Sequence, residues 1–523
     1  MGFLQAVYSL GTVASKRNED SPLADISNFL QLPYPLTEVG SSDNRAKNSS
    51  IVYVIRVWLE ATEPSSDVLD IRGISKIDRI EYGAIGSGEN EIKERCLYRD
   101  PVGSNVSWRF SPLHKLGKGG KNLLEDLLGK KGDWTKDDKC TFYKIYSRVL
   151  KDYEDSGYFS IDSAKRVMAD LAANVDRIVE YLSDKKNPHF LLFGLKQGEI
   201  FLYPGEIPAF VEYFRSKLNL DTDSESQAES RPNKSAYCAL CGKSECKQVT
   251  LDRVFKFATF DKPGFLPGTK DGAGIREKVF PVCEDCYEIL SAGKEEMERR
   301  FVNDTVIPIP NHLLYVIPEV VFDQTEYLQR ASRYTKDFLI KGIRNEVNLF
   351  NSLARHEEGL VYHFLFAEIN QAQLIIHSFI EDVPPTHLKQ LEQSWIKTCH
   401  AFSGDSDSEQ SGRYSLDIAF KQIFAVLMSM AGKREQEQKV MKEKAIAIVS
   451  ALLNGERVET SELKTLIVSR LAGLFTDPDW LKPKGKNSIP GRLKIIGMAE
   501  VMDFLGRANK EDNYESGLVG KVC

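Results

Sequence analysis

The chain has 523 residues, and its 69 basic and 75 acidic side chains give a net charge of −6. This length suffices for about two to four domains, and the acidic balance excludes a uniformly basic nucleic-acid-binding protein while leaving room for a local basic surface. Nine cysteines, four of them in two Cys-x-x-Cys pairs, favour a reducing compartment over a secreted disulfide framework. We expect a cytoplasmic protein without a membrane anchor, because no apolar stretch reaches the roughly 20 residues of a membrane span and Ala6 stands where a myristoylation signal requires Ser or Thr.

The first predicted element is a buried strand at Ile51–Leu59, which is rich in β-branched and aromatic residues. After a turn at Asp100–Asn105 comes a basic, glycine-rich segment, His114–Lys121. Glycine lets backbone amides approach a phosphate and lysine neutralises it, so we interpret this segment as a phosphate-binding loop, with a plain solvated loop as the alternative. It is not a nucleotide-binding P-loop, because Asn122 stands where Ser or Thr would bind magnesium.

The lysines in and near this loop are the candidate DNA-phosphate contacts, together with one lysine further along the chain. They are Lys115, Lys118, Lys121, Lys130, Lys131 and Lys262.

Helical spacing of apolar residues predicts an amphipathic helix at 163–184. A β-hairpin is predicted from Phe190–Leu195 and Glu199–Tyr203, and a further helix from Ile207–Leu218. The acidic, serine-rich segment Asp221–Ser235 has no apolar periodicity and is predicted to be a linker.

Two cysteine pairs follow the linker: Cys238 with Cys241, and Cys283 with Cys286. Each pair can place two sulfurs about 2.3 Å from one ion, and four thiolates would fill a tetrahedral shell and leave no position for a catalytic water. We therefore predict a structural zinc knuckle, although the gap between the pairs exceeds the ~15–20 residues of a compact zinc ribbon. Cys246 could replace one ligand, and buried or redox-active thiols are the alternative interpretation.

Beyond the first pair, a strand is predicted at Val254–Phe260, followed by a Pro/Gly loop at Asp261–Gly268. A helical stretch is predicted from Val321 to Ala354, and a strand pair from Val361–Ile369 and Leu374–Ile380. The remaining chain predicts a bundle of amphipathic helices at Tyr414–Met430, Gln436–Leu453, Thr460–Leu474 and Arg492–Leu505.

Two details of this bundle carry predictions of their own. Thr460 is the predicted N-cap of the third helix. Five basic residues are interpreted as solvated surface, with a path for single-stranded DNA as the alternative; they are Lys433, Arg434, Lys482, Lys484 and Lys486.

The predicted fold class is α+β, with a mixed α/β N-terminal region, a four-cysteine zinc-knuckle insertion and an all-α C-terminal helical bundle. The predicted segments are a mixed domain at 1–220, a linker at 221–235, a zinc-binding segment at 236–320, a helix and β-hairpin region at 321–402, and the bundle at 413–523.

The sequence holds no convincing catalytic constellation, such as a His-Asp or Gly-Gly-Asp-Asp motif, and its eight histidines are scattered. His363 lies in an apolar strand and is interpreted as a core or edge residue rather than a ligand. We therefore expect a non-catalytic binding protein. The alternative is a free-standing zinc-containing enzyme that processes nucleic acids.

Several segments resemble the large signature subunit of type I-B CRISPR Cascade complexes. They are the opening Met-Gly-Phe-Leu-Gln-Ala-Val-Tyr-Ser-Leu-Gly, the Cys238/Cys241 pair, Phe257–Phe265, Phe280–Tyr287 leading to Ala292-Gly293-Lys294, Tyr362–Phe366 and Ile380–Pro385. The Cys-rich block is the most specific part of this resemblance.

The resemblance implies a subunit of a crRNA-guided surveillance complex. Such a subunit caps the end that carries the crRNA 5′ handle, inspects the flanking motif (PAM) of duplex DNA, stabilises the R-loop with its displaced strand, and docks the helicase-nuclease. Its implied partners are crRNA, target double-stranded DNA, the backbone and handle-binding subunits and a small subunit. In this family the C-terminal bundle can also be made separately as the small subunit, but no methionine lies between Met297 and Met428 to start such a product.

Overall fold

The computed structural model describes residues 2–15, 21–34, 51–101, 108–120, 122–223, 237–244, 248–249, 251–255, 257, 280–307, 309, 311–320, 343, 348–354, 360–370, 373–403, 412–431, 434–476 and 491–519. The chain divides into two compact units. The N-terminal unit is Ser15–Ser291, and the C-terminal unit is Met1–Ala14 with Ala292–Cys523. The five segments predicted from the sequence stay a prediction.

The helices of the described residues are, in chain order, α1 Phe3–Ala14, α2 Glu89–Cys96, α3 Leu123–Leu128, α4 Thr141–Ile145, α5 Lys151–Asp155, α6 Ser163–Ala173, α7 Val175–Leu182, α8 Pro208–Asp223, α9 Glu284–Arg300, α10 Leu349–Ala354, α11 Pro385–Ser403, α12 Leu416–Met430, α13 Glu435–Leu453, α14 Ser461–Phe475 and α15 Gly491–Val519. A π-helical turn, Tyr146–Leu150, joins α4 to α5. None of the described helices combines the length and apolar character needed to cross a bilayer.

The N-terminal unit is built on a mixed sheet with strand order β2-β1-β4-β3, in which β5 also pairs with β4. Its strands are β1 Tyr53–Ala61, β2 Ile71–Glu81, β3 Leu113–Lys118, β4 Pro188–Gln197 and β5 Ile200–Leu202. β1 and β4 are parallel, and the other neighbouring strands are antiparallel. Alternate residues of β1 enter two separate cores, Ile55 and Val57 on one face and Val54 and Trp58 on the other. Apolar burial on both faces explains why the sequence here contains a nearly continuous apolar run.

A small two-stranded ladder, β6 Gln248–Val249 with β7 Val282–Cys283, lies beside the cysteine cluster. The C-terminal unit contains an antiparallel sheet with strand order β11-β10-β9-β8. Its strands are β8 Val302–Asn303, β9 His312–Val320, β10 Leu360–Asn370 and β11 Gln373–Val383.

One face of this C-terminal sheet shares a core with the helices that follow it. Phe364 and Phe366 of β10 lie in the same cluster of buried side chains as Trp395 of α11, Phe420 of α12 and Phe504 of α15. The predicted fold class is therefore confirmed: a mixed α/β N-terminal region, a cysteine cluster and an all-helical C-terminal region. The predicted strand pair and the β4–β5 hairpin are also confirmed.

One local prediction was right in part and two were wrong. The apolar residues of the predicted helix at 163–184 are buried in the core as expected, but the segment forms two helices, α6 and α7. They are separated at Asn174, whose backbone leaves helical geometry and whose side-chain amide donates to Asp170 O at 2.8 Å. The segment predicted as a loop from His114 forms strand β3 as far as Lys118, because it pairs with β4. Leu251–Arg253 forms a 3₁₀ turn in which Val254 and Phe255 donate to Leu251 O, so the described part of the predicted 254–260 strand is not extended.

Helix α11 was missed, although Pro385 at its first position and buried residues at helical spacing are helix signals. Helix α14 begins after Thr460 as predicted, but the Thr460 hydroxyl does not cap it. Instead, the Glu459 carboxylate accepts the Ser461 amide at 2.8 Å. The predicted Pro/Gly loop at 261–268, most of the predicted helix at 321–354 and most of the predicted linker lie outside the described residues.

Candidate metal centre and nucleic-acid interface

The first cysteine pair lies in a tight backbone turn. Gly242 N donates to Cys238 O, and Cys238 N donates to Lys243 O, both at 2.9 Å. Gly242 has a φ of +73°, in the left-handed region that glycine adopts without strain. A bridge between Tyr237 and Ser244 closes the base of the turn. This local geometry follows directly from the short spacing between the two cysteines.

The second pair lies where strand β7 meets helix α9. Cys283 ends β7 and is opposite Gln248 of β6, while Cys286 is in the first turn of α9. Ala239 N donates to Pro281 O at 2.8 Å, which brings the two pairs together across the long intervening segment.

The four predicted cysteines do converge. Their sulfurs all lie within 4.8 Å of one another, and the sulfurs of Cys241 and Cys283 are 3.7 Å apart. A tetrahedral ion with sulfurs at about 2.3 Å requires S···S edges of about 3.8 Å. Cys238, Cys283 and Cys286 are buried, whereas Cys241 is exposed. The cluster could hold a metal ion, and its donor set is compatible with zinc.

The surroundings of the sulfurs give the cysteines different pKa values. Burial opposes ionisation of Cys238, but the amides of Cys241, Cys283 and Leu240 stabilise its thiolate and lower its pKa to about 7. Burial raises the pKa of Cys283 to about 11, and the charge of Cys238 adds to that increase. Burial likewise raises the pKa of Cys286. A single thiolate can thus form without a metal, and a bound dication would favour ionisation of the others.

The start of α9 contacts other residues of the N-terminal unit. Tyr287, one residue after Cys286, packs on Phe29 with ring centroids 5.3 Å apart. Its hydroxyl accepts a hydrogen bond from Nη2 of the buried Arg99 at 2.9 Å. Asn28 Nδ2 donates to Glu288 Oε1 at 2.6 Å. A metal at the cysteines would therefore further stabilise the position of a helix that these contacts already hold.

The structure describes only some of the lysines predicted to contact DNA. Lys118 at the end of β3, and Lys130 and Lys131 in the turn after α3, are exposed. Lys115 on β3 lies over the Tyr98 ring, with Nζ 4.5 Å from its centroid, and 4.0 Å from Asp100 Oδ2. Those contacts leave Lys115 less available to a phosphate. Lys121 and Lys262, like Cys246, lie outside the described residues.

A group of cations that the sequence analysis missed lies beside β3. We call Arg109, Lys144 and Arg148 the cation cluster. Burial is the main cause that lowers the pKa of His114 to about 4, and the nearby charges of these three residues lower it further. Burial, followed by Arg148, also lowers the pKa of Arg109. Within the part of the chain that the structure describes, none of the three forms an ion pair within 4 Å. The charge of Asp100 acts on the pKa of Arg109 in the opposite direction but has a smaller effect than Arg148. The remaining positive charge of the cluster favours an anion as ligand.

Two further polar clusters lie on the sheet of the C-terminal unit. His363, interpreted above as a core or edge residue, is fully buried, and its Nε2 lies 2.7 Å from Glu319 Oε2. With Asp382 these two side chains form a group that could hold an ion. The other cluster consists of His312, Glu368 and His377.

Comparison with known proteins identifies one region of the chain. No curated protein matches it, but residues 235–383 match the family model for the central domain of CRISPR-associated protein TM1802. The matched region contains all four cysteines of the cluster and the strands β8–β11. The match supports the CRISPR association that the resemblance implied; the role of a large Cascade subunit stays a prediction. Residues 235–383 are thus similar to a CRISPR-associated central domain, and the four cysteines of the cluster lie within the matched residues.

Proposed function

We propose that this chain is the non-catalytic large subunit of a crRNA-guided type I-B surveillance complex. It recognises the PAM in duplex DNA, caps the crRNA 5′ handle end, stabilises the R-loop and docks the helicase-nuclease. The observation that carries the proposal is the CRISPR-associated match at residues 235–383, which encloses the cysteine cluster. Such complexes delegate most sequence recognition to base pairing, so the protein needs only a short groove contact and backbone contacts.

In this role the cysteines hold a structural zinc ion. Four thiolates complete the tetrahedral shell and leave no position for a reacting water. The bound ion would fix the 238–244 turn to the start of α9. There, Tyr287 contacts Phe29 and Arg99. The zinc site therefore supports the shape of the domain rather than a reaction.

The cation cluster is the proposed contact with nucleic-acid backbone in the N-terminal unit. Lys144 and Arg148 are four residues apart on the continuous helical segment from α4 to α5, which places them on one face. Backbone contacts of this kind position a nucleic acid without reading its bases. The helices of the C-terminal bundle, α12 to α15, would contribute the surface for the displaced strand.

The test is reconstitution of the complex, with its crRNA, in the presence and absence of this chain. The substrates are duplexes in which the flanking motif is randomised and a matched set in which the target is already unpaired. We expect the chain to be required for opening duplexes that carry a subset of flanking motifs, and to matter much less for unpaired targets. Equal duplex opening without the chain would contradict the proposal. Metal-dependent cleavage of DNA or RNA by the purified chain would instead favour a free-standing zinc enzyme.

A further inference from the structure

Three adjacent strands of the C-terminal sheet bring polar side chains to one end of its core-facing surface. His312 of β9 is directly opposite Glu368 of β10 in the antiparallel register. The next residues along this face, Leu314 and Phe366, are buried in the apolar core. Polar side chains at the edge of such a core require partners, because burial without them is costly.

The third member, His377 of β11, is aimed at the cluster by a β-bulge. Phe366 is opposite Ser378 and Ala367 is opposite Ile376, so His377 is the extra residue between them. A β-bulge changes the direction in which a side chain points, and such bulges are specific features of a sheet rather than defects. Here the bulge places a second imidazole on the same carboxylate.

The resulting group is compact and largely shielded from solvent. Nε2 of His377 lies 2.9 Å from Glu368 Oε2, and Nε2 of His312 lies 3.4 Å from the same oxygen. The side chains of His312, His377 and Glu368 are 1%, 12% and 26% exposed. One ligand atom from each lies within 4.8 Å of the other two.

We propose that His312, Glu368 and His377 form a second metal site, which takes zinc or another late first-row divalent cation. Two imidazole nitrogens and one carboxylate oxygen are a ligand set that these cations prefer. At metal bond lengths of about 2.0–2.2 Å, tetrahedral ligand atoms are separated by about 3.4 Å, close to the observed spacings. The site would join three strands of one sheet, and it is independent of the proposed function.

Lys442 of α13 forms an ion pair with the carboxylate of the proposed site. Its Nζ lies 3.4 Å from Glu368 Oε2 and its side chain is 15% exposed. The ammonium group therefore competes with a metal for the same carboxylate. In a network held only by hydrogen bonds and ion pairs, Lys442 would stabilise the group. In a metal site, Lys442 would lower the affinity for the metal.

The experiment measures zinc binding to the full chain after chelation, by equilibrium dialysis with metal analysis. We expect more than one equivalent of zinc, and Glu368→Gln or His377→Gln should remove one equivalent while the cysteine-bound equivalent stays. His387→Gln is the matched control, because His387 Nε2 contacts Leu452 O at 2.7 Å outside the cluster; it should leave the zinc content unchanged.

Lys442→Met provides a variant whose effect goes in the opposite direction. It keeps the length of the side chain and removes the competing charge, so affinity at the second site should rise by roughly tenfold, the effect of about one pKa unit from a neighbouring charge. Unchanged affinity in Lys442→Met, or unchanged zinc content in both Glu368→Gln and His377→Gln, would overturn the proposal. The gain in affinity remains measurable even where the loss variants fold poorly.

Discussion

The sulfurs of Cys241 and Cys283 lie 3.7 Å apart although they belong to different Cys-x-x-Cys pairs. One pair lies in a turn and the other begins a helix, and backbone hydrogen bonds such as Ala239 N to Pro281 O join them. A metal at this point would be the strongest link between the two. The stability of the segment should therefore depend on it.

The first prediction concerns removal of one ligand. Cys283→Ser should lower the zinc content of the chain and loosen residues 236–290, because metal-binding energy contributes to folding. Metal analysis and limited proteolysis measure the two effects. Cys399→Ala is the control, since Cys399 is a buried thiol outside the cluster. A Cys283→Ser chain with full zinc content and unchanged proteolysis would refute the metal assignment.

The second prediction concerns the cation cluster. Lys144→Ala/Arg148→Ala should weaken binding of the assembled complex to nucleic acid by a similar factor for all flanking motifs. The slope of log affinity against log salt is negative, and its magnitude should decrease by about two, because each lost duplex-phosphate contact contributes roughly 0.9.

The control for this variant removes the same charge elsewhere in the N-terminal unit. Lys185→Ala/Lys186→Ala changes two lysines in the turn before β4 and should leave the salt slope unchanged. Equal slopes for the cluster variant, the control and the unaltered chain would exclude the cluster as a backbone contact.

The third prediction concerns a close approach of two helices in the C-terminal unit. A Cβ on Gly293 of α9 would lie 2.0 Å from Val7 O of α1. Gly293→Ala should therefore destabilise the unit by about 1–3 kcal/mol, the usual cost of overpacking. Gly473→Ala in α14 meets nothing within 4 Å and should stabilise it by about 0.5–1 kcal/mol through helix propensity. Urea unfolding measures both; equal effects would contradict the packing argument.

The fourth prediction concerns pH. Asp417 accepts hydrogen bonds from Phe350 N at 3.0 Å and Asn351 N at 3.1 Å, yet burial outweighs these bonds and raises its pKa from 3.8 to about 6. Between these values the folded chain binds more protons than the unfolded chain, so the contribution of Asp417 to stability falls as pH rises from about 4 to about 6.

Asp417→Asn should remove this dependence. The stability difference between the variant and the unaltered chain should therefore change by on the order of 3 kcal/mol between pH 4 and pH 7, in favour of the variant at the higher pH. Urea unfolding at a series of pH values measures the difference. Parallel stability curves for the two chains would contradict the burial argument.

Features encoded by local spacing were predictable from the sequence. Short sequence patterns predict the cysteine pairs, the β10–β11 strand pair and the helices α12 to α15. Helix α11 was equally accessible: Leu388, Leu391 and Trp395 are buried at helical spacing after a proline.

Features created by long-range pairing were not predictable. His114–Lys118 forms a strand because β4 supplies its hydrogen-bond partners, and a glycine-rich basic sequence gives no local sign of this. Arg109 approaches Lys144 and Arg148 only in the folded unit. The i, i+4 spacing of Lys144 and Arg148 was the one available signal, and it indicates a shared helix face but no partner.

Co-purification is the most direct test of whether this chain works as part of a crRNA-guided complex. The chain is expressed with an affinity tag from its native operon, purified gently, and any bound small RNA is sequenced. We expect a uniform RNA with a repeat-derived 5′ handle, together with backbone subunits. A protein free of RNA, recovered from an intact operon, would contradict it.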